Sequence, residues 1–168
     1  MKVSIYGFFL FSLFSTSAHA SSALELPKWK TVGTAKLTVF WFDIYHAELS
    51  SLNGKYDYSQ SFMLTLTYLR NFESKELIDE TFKQFSKPLT ETQSSTWRAQ
   101  LEVLWPDVKK GDQITFLKSD KGVSHFFFNT TYRGQIEEPE FADLFSAIWL
   151  SDNSEYPKLA AKLKGQSK

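Results

Sequence analysis

The sequence predicts one α+β domain in which a large antiparallel β-sheet carries a layer of helices on one face, an open-faced sandwich. Segments with strand-like patterning and segments with helix-like patterning alternate in the order strands, helices, strands, helices. The links between successive strands in the second half are too short for the crossovers that parallel strands require. The longer helical segments carry apolar stripes, which a sheet face can cover.

The N-terminal segment, residues 1–20, has the composition of a secretory signal peptide. Lys2 supplies a positive start, and Val3–Phe14 is almost wholly apolar. This run is shorter than the roughly 20 residues that a membrane-spanning helix needs, which argues against an uncleaved anchor. Because Ala18-His19-Ala20 has the form of a processing site, we expect cleavage between Ala20 and Ser21.

The remaining chain, residues 21–168, is predicted to be a single domain with its core at about 25–164. Cleavage removes one lysine and no acid from a chain with 19 basic and 19 acidic residues, which leaves a formal charge of −1. This balance gives no electrostatic reason to expect nucleic acid or an anionic membrane surface as a partner. No second apolar run is long enough to cross a bilayer, so stable membrane insertion is not expected after cleavage.

The chain contains no cysteine, so its core must hold the fold without disulfides. An aromatic content of 17% is consistent with such a core. The lack of thiols excludes a cysteine nucleophile, iron–sulfur ligation and thiolate zinc sites. After cleavage only His46 and His125 remain, which argues against a zinc site built mainly from histidines. We expect neither a metal nor a cofactor.

The first predicted strands lie before residue 70. Val32–Leu49 reads as extended chain with bulky side chains on both faces, so we expect much of it to be covered on both sides. Asn53-Gly54 indicates a turn. Phe62–Leu69 is the next strand. The two-residue period of a strand puts its bulky residues on one face and its threonines on the other: Phe62, Leu64, Leu66 and Tyr68 against Thr65 and Thr67.

Two helices are predicted between the strands. Ser74 fits the N-cap of the first, whose apolar stripe continues to Phe85 before Lys87-Pro88 ends the helix. Ser94 or Ser95 is a candidate cap for the second helix, which carries a further apolar stripe: Trp97, Leu101 and Leu104. Proline at position 106 stops it.

The second half begins with strands and ends with helices. Gln113–Lys118 and Val123–Asn129 predict a hairpin, and Tyr132–Ile136 predicts one more short strand. Glu138-Pro139-Glu140 is typical of a helix start, because proline suits the first turn and acids favour the positive end of the helix dipole. A last short helix is expected over Pro157–Leu163.

Several segments, taken in order, resemble the chalcone isomerase-like family in its short bacterial exported branch. The match extends over nearly all of residues 25–164. The resemblance implies a large antiparallel sheet, a layer of helices over it and a cleft between the two layers. Together with the signal peptide, it implies a periplasmic protein. The matching segments are Val32–Leu37, Phe42–Leu49, Leu66–Phe72, Trp105–Asp112, Gly134–Phe141, Ala147–Leu150 and Pro157–Leu159.

The plant enzymes of this family close a chalcone into a flavanone, and the resemblance implies where their polar residues would fall. Developing charge on the substrate carbonyl needs positive or hydrogen-bonding partners. Most of that polar set is absent from this chain, which argues against the plant reaction. Lys36 stands at the arginine position, Phe72 near the tyrosine, Asp79 or Glu80 near the asparagine, Phe40 near the first threonine, and Ala147 or Ile148 near the second.

The candidate ligand-binding residues are Lys36, Tyr45, Tyr68, Arg70 and Phe72. They would give a cleft with apolar walls and a few polar groups that orient a ligand. The alternatives stay open for each polar residue. The tyrosines fit core or rim aromatics with bonded hydroxyls, the arginine fits an ion pair with an acid, and the lysine fits a solvated strand edge.

Three functions follow from these observations. The first is a non-catalytic periplasmic binder of a small apolar ligand, either a fatty acid or a planar aromatic, since some relatives of the fold bind fatty acids. The second is an isomerase or intramolecular lyase that uses another polar set, Lys36, Tyr45 and Arg70, which must then converge on one cleft. The third is an envelope interaction protein, which requires an exposed apolar patch.

Overall fold

A computed structural model describes residues 28–166, and its six strands form one sheet in the order in which they occur along the chain. All neighbouring strands are antiparallel. The predicted signal peptide, with its cleavage site at Ala20 and Ser21, lies outside the described residues. The strands are β1 (Lys30–Val39), β2 (Phe42–Ser51), β3 (Phe62–Tyr68), β4 (Gln113–Lys118), β5 (Ser124–Phe128) and β6 (Thr131–Ile136).

The described helices form the second layer. Two of them connect β3 to β4, and two follow β6. The α+β class with an open antiparallel sheet is therefore confirmed. None of the described helices is long and apolar enough to span a membrane. The helices are α1 (Ser74–Lys83), α2 (Glu91–Leu104), α3 (Pro139–Leu150) and α4 (Pro157–Leu163).

An aromatic cluster joins the two layers at the end of the sheet formed by β4 and β5. The ring centroid of Phe145 on α3 lies 4.8 Å from that of Phe116 and 5.5 Å from that of Phe126. Phe141 stacks on Phe145, and Trp105 packs against it from the end of α2. Each ring removes a large apolar area from water, so this contact is a main source of stability in a chain without disulfides.

The opening segment is the main departure from the sequence prediction. Val32–Leu49 is not one covered strand but parts of β1 and β2, with the chain reversing at Phe40 and Trp41. These two side chains are 86% and 82% exposed, so the expectation that both faces are covered is wrong there. The reversal uses a positive φ of 56° at Phe40, which a phenylalanine rarely adopts, and no glycine or proline marks it.

The predicted starts of the first two helices were wrong, by one residue for α1 and by four or five residues for α2. The N-cap of α1 is Glu73 rather than Ser74, and the Glu76 carboxylate accepts a hydrogen bond from the backbone N–H of Glu73 at 2.9 Å. The N-cap of α2 is Thr90, whose hydroxyl accepts from the N–H of Gln93 at 3.2 Å. This reciprocal Thr-x-x-Gln pair stabilises the earlier start, which leaves Ser94 and Ser95 inside the helix.

The predicted helix end was wrong for α1 and right for α2 and α4. The helical part of α1 stops at Lys83, four residues before the predicted end at Lys87. The end of α2 at Leu104, ahead of Pro106, is confirmed. The last helix, α4, is confirmed at Pro157–Leu163.

Candidate functional site

An open cavity of about 460 Å³ lies between the sheet and helices α1 and α3. Its volume falls in the range of about 300–1,000 Å³ that is usual for small-molecule sites. Its walls are mostly apolar because the inward faces of four strands meet the inward faces of two helices. The floor includes Leu37, Leu64, Leu66, Ile114 and Phe116, and the roof includes Leu77, Phe145, Ile148 and Trp149.

Two tyrosines on neighbouring strands supply polar groups inside this cavity. Tyr45 on β2 and Tyr68 on β3 are directly paired across the sheet, and their ring centroids are 6.1 Å apart. The indole Nε1–H of Trp149 donates a hydrogen bond of 2.9 Å to the hydroxyl oxygen of Tyr45. A residue of α3 thus fixes the orientation of a residue on the sheet.

The two hydroxyls differ in their surroundings. Burial raises the pKa of Tyr45, although the hydrogen bond from Trp149 offsets part of that rise. Burial also raises the pKa of Tyr68, and among the described residues no hydrogen bond counteracts it. Tyr68 is 5% exposed, and its hydroxyl oxygen faces the open volume of the cavity that the residue lines. Both phenols therefore stay protonated at neutral pH.

The mouth of the cavity is acidic. Three exposed glutamates line it, Glu76 and Glu80 from α1 and Glu155 from the segment before α4. Glu80 is only weakly neutralised, since Lys83 approaches it at 3.4 Å and both side chains are more than half exposed. No lysine or arginine is found among the described residues that line the cavity.

The structure separates the residues predicted to form the site. Tyr45, Tyr68 and Phe72 all line the cavity. Lys36 lies on the opposite face of the sheet, where its ammonium group pairs with the Asp43 carboxylate at 2.8 Å. The guanidinium of Arg70 is exposed and lies 4.4 Å from the centre of the Phe42 ring. Lys36, Tyr45 and Arg70 therefore do not converge on one cleft.

The positions that correspond to the plant polar set divide in the same way. Phe72, Glu80 and Ile148 line the cavity, and two of these three side chains are apolar. Phe40 and Lys36 lie away from it, at the β1–β2 reversal and on the outer face.

Sequence reasoning missed three of the residues that shape the site. Trp149 was not among the candidate binding residues, and its bond to Tyr45 joins residues 104 positions apart. Glu155 and Tyr156 lie in the segment before α4, to which no role was assigned. The Pro157 helix start could have drawn attention to Tyr156, but no pattern in the sequence indicates that it faces a cavity.

A second feature is an exposed aromatic tip, Phe40, Trp41 and Phe42, at the reversal between β1 and β2. The three side chains are 86%, 82% and 48% exposed. Val39 and Ile44, which flank the tip, line the cavity. The tip is therefore adjacent to the cavity wall.

Within residues 28–166 no three His, Asp or Glu side chains are grouped as metal ligands.

A family model described as chalcone isomerase-like matches residues 27–165. The chain belongs to the chalcone isomerase-like family. An uncharacterized protein of Haemophilus influenzae is 27% identical over 160 residues, which make up 94% of this chain and 78% of that protein. The family predicted from the sequence is confirmed.

A solved structure shows the same fold in another member of this architecture. The crystal structure of an Arabidopsis thaliana fatty-acid binding protein aligns with a TM-score of 0.63 and 8% identity. The alignment covers 90% of this chain and 92% of the plant chain. At this identity the likeness concerns the fold alone.

The contrast between the two hydroxyls gives a stability prediction. Tyr45→Phe leaves the buried Nε1–H of Trp149 without its acceptor and should lower the free energy of unfolding by about 1–3 kcal/mol. Tyr68→Phe removes a hydroxyl that has no protein partner and should leave stability unchanged or slightly higher. Urea denaturation of both variants measures the difference. Equal losses would contradict the assignment of the Trp149 bond.

Proposed function

We propose that this protein is a non-catalytic binder of a small, largely apolar ligand, which occupies the cavity between the sheet and helices α1 and α3. The observation that carries the proposal is the open apolar volume of about 460 Å³ beside a densely packed aromatic cluster. Protein interiors are normally packed as closely as organic crystals, and unfilled apolar space lowers stability. A ligand that fills this space would recover the missing contacts.

The shape and chemistry of the walls favour a ligand with an acyl chain or a planar aromatic ring. Leucine and isoleucine side chains line the floor and roof, and aromatic rings of Tyr45, Tyr68 and Trp149 are available for stacking. The fold is shared with a plant protein that is named for fatty-acid binding, which supports the general class of ligand. A catalytic alternative has less support, because Lys36 and Arg70 do not reach the cavity that contains Tyr45.

Filling the cavity from within should abolish binding. Leu77→Trp projects an indole from α1 into the open volume and should reduce affinity at least tenfold, because the ligand and the new ring compete for the same space. Val103→Trp adds the same bulk to an exposed position on α2 outside the cavity and is the matched control.

Isothermal titration with medium-chain alcohols, medium-chain acids and phenolic compounds measures the effect, and circular dichroism verifies that each variant is folded. If no compound in the panel binds wild-type protein, or if both tryptophan variants bind like wild type, the proposed function is wrong.

We further propose that the protein acts in the periplasm after export. Support comes from the apolar run Val3–Phe14 and the processing site that ends at Ala20. Protein recovered from a periplasmic extract should therefore begin at Ser21, which N-terminal sequencing can determine. Recovery of the full chain from the cytoplasm, with Met1 or Lys2 at its N-terminus, would contradict the proposal.

The aromatic tip favours a second candidate function, peripheral contact with a lipid surface. Tryptophan and phenylalanine at an exposed reversal suit the boundary between lipid head groups and acyl chains. Arg70 lies beside Phe42 and adds a positive charge that anionic head groups would attract. Because Val39 and Ile44 connect the tip to the cavity, such contact would bring the cavity close to a source of apolar ligands.

Replacing the tip should release the protein from vesicles. The double change Phe40→Ser with Trp41→Ser should abolish sedimentation with vesicles of phosphatidylethanolamine and phosphatidylglycerol, because the apolar groups that insert are lost. Val103→Ser removes an exposed apolar side chain elsewhere and should have no effect. Wild-type protein that stays in the supernatant would rule out this second function and leave ligand binding untouched. A double variant that sediments with vesicles as wild-type protein does would also rule out this second function.

A further inference from the structure

The cavity combines hydrogen-bond donors at its base with negative charge at its mouth, and this combination restricts the ligand's head group. Apolar walls alone would accept any acyl chain or ring. The polar groups are few, so each one has a large influence on which end group can be buried. They are the hydroxyls of Tyr45 and Tyr68 inside and the carboxylates of Glu76, Glu80 and Glu155 at the opening.

The two tyrosines are available as donors. The oxygen of Tyr45 already accepts from Trp149 at 2.9 Å, so its own O–H is left to donate to another group. Tyr68 has no hydrogen-bond partner among the described residues, is 5% exposed and faces the cavity. The two rings are 6.1 Å apart on adjacent strands, which allows both hydroxyls to approach the same end of a ligand. A buried donor without an acceptor is costly, so an oxygen atom placed there is stabilised.

The cavity does not favour a ligand with a negatively charged head group. Among the described residues that line the cavity there is no lysine or arginine, so a buried carboxylate would lose its hydration without gaining a counter-charge. It would also pass Glu76, Glu80 and Glu155 on entry. Glu155 and Glu80 are near enough to Tyr45 to contribute to the raised pKa of that phenol, although burial is the main cause. The same field disfavours an anion at this position.

We infer that the ligand is an uncharged amphiphile, whose carbonyl or hydroxyl oxygen accepts hydrogen bonds from Tyr45 and Tyr68 while its apolar body fills the cavity. This inference rests on the proposed function and narrows it, because it selects neutral alcohols, esters, ketones or phenols over fatty-acid anions. The positive groups near this site do not line the cavity: Lys83, which approaches Glu80 at 3.4 Å at the mouth, has a side chain that is 71% exposed. Lys36 is on the opposite sheet face, and Arg70 lies over Phe42.

Decanol and decanoate are the probes, because they share a chain and differ in head-group charge. Isothermal titration at neutral pH and moderate salt should give at least tenfold tighter binding of decanol. Decanoate that binds as tightly as decanol would overturn the inference and leave the proposed function intact. Binding of neither probe would overturn both.

Decanoate is better hydrated than decanol in any case, so variants are needed to assign the preference to these residues. Tyr45→Phe and Tyr68→Phe should each weaken decanol binding by about twofold to tenfold, the effect of one hydrogen bond. Tyr68→Phe is the more informative, since it leaves Trp149 paired. Tyr132→Phe, an exposed tyrosine on β6 outside the cavity, should bind like wild type. Unchanged decanol affinity in both cavity variants would overturn the donor role.

The effect of the acidic residues at the mouth on anion binding is tested by removing their charge. Glu80→Gln combined with Glu155→Gln removes two charges and keeps the side-chain size. Decanoate affinity should rise severalfold, by an amount that shrinks at high salt, while decanol affinity stays unchanged. A double variant that binds decanoate with the same affinity as wild type would overturn the electrostatic argument. An equal rise for both probes would overturn it too, because charge removal would then act on the fold rather than on the head group.

Discussion

The structure depends on the aromatic cluster that holds the helical layer on one end of the sheet. Phe116, Phe126 and Phe145 pack there at ring distances of 4.8–5.7 Å, and α3 is the element that carries Phe145. With no cysteine in the chain, this burial must supply much of the stability. Because the contact is dense at the β4–β5 end, the other end of the same interface can remain open without loss of the fold.

The densely packed end and the open end of this interface are connected by α3. The helix α3 carries Phe145, which belongs to the aromatic cluster and also lines the cavity, and Trp149, which lies one turn further on and lines the cavity. The bond from Trp149 to Tyr45 then fixes a phenol of the sheet against the roof at 2.9 Å. The Tyr45 hydroxyl is therefore held by the same helix that closes the core, which keeps it oriented before a ligand arrives and reduces the entropy lost on binding.

Features set by local patterning were predictable from the sequence, and features set by distant contacts were not. The alternation of bulky residues and threonines in Phe62–Leu69 correctly predicted β3, and the apolar stripe after Pro139 correctly predicted α3. The periodicity of the chain did not locate the reversal at Phe40, because bulky residues there look the same whether they are buried or exposed. The register of β1 with β2 decides which face of the sheet carries Lys36. The periodicity of the sequence cannot determine that face when the position of the turn between the two strands is unknown.

The central claim is that a ligand-sized apolar space exists beneath α1, and a crystal structure under xenon pressure tests it most directly. Xenon enters apolar cavities in proteins without needing any specific chemistry. We expect bound xenon between Leu66 on the sheet, Leu77 on α1 and Ile148 on α3. A structure in which these side chains touch one another, with the helices closed onto the sheet and no xenon between them, would contradict the account.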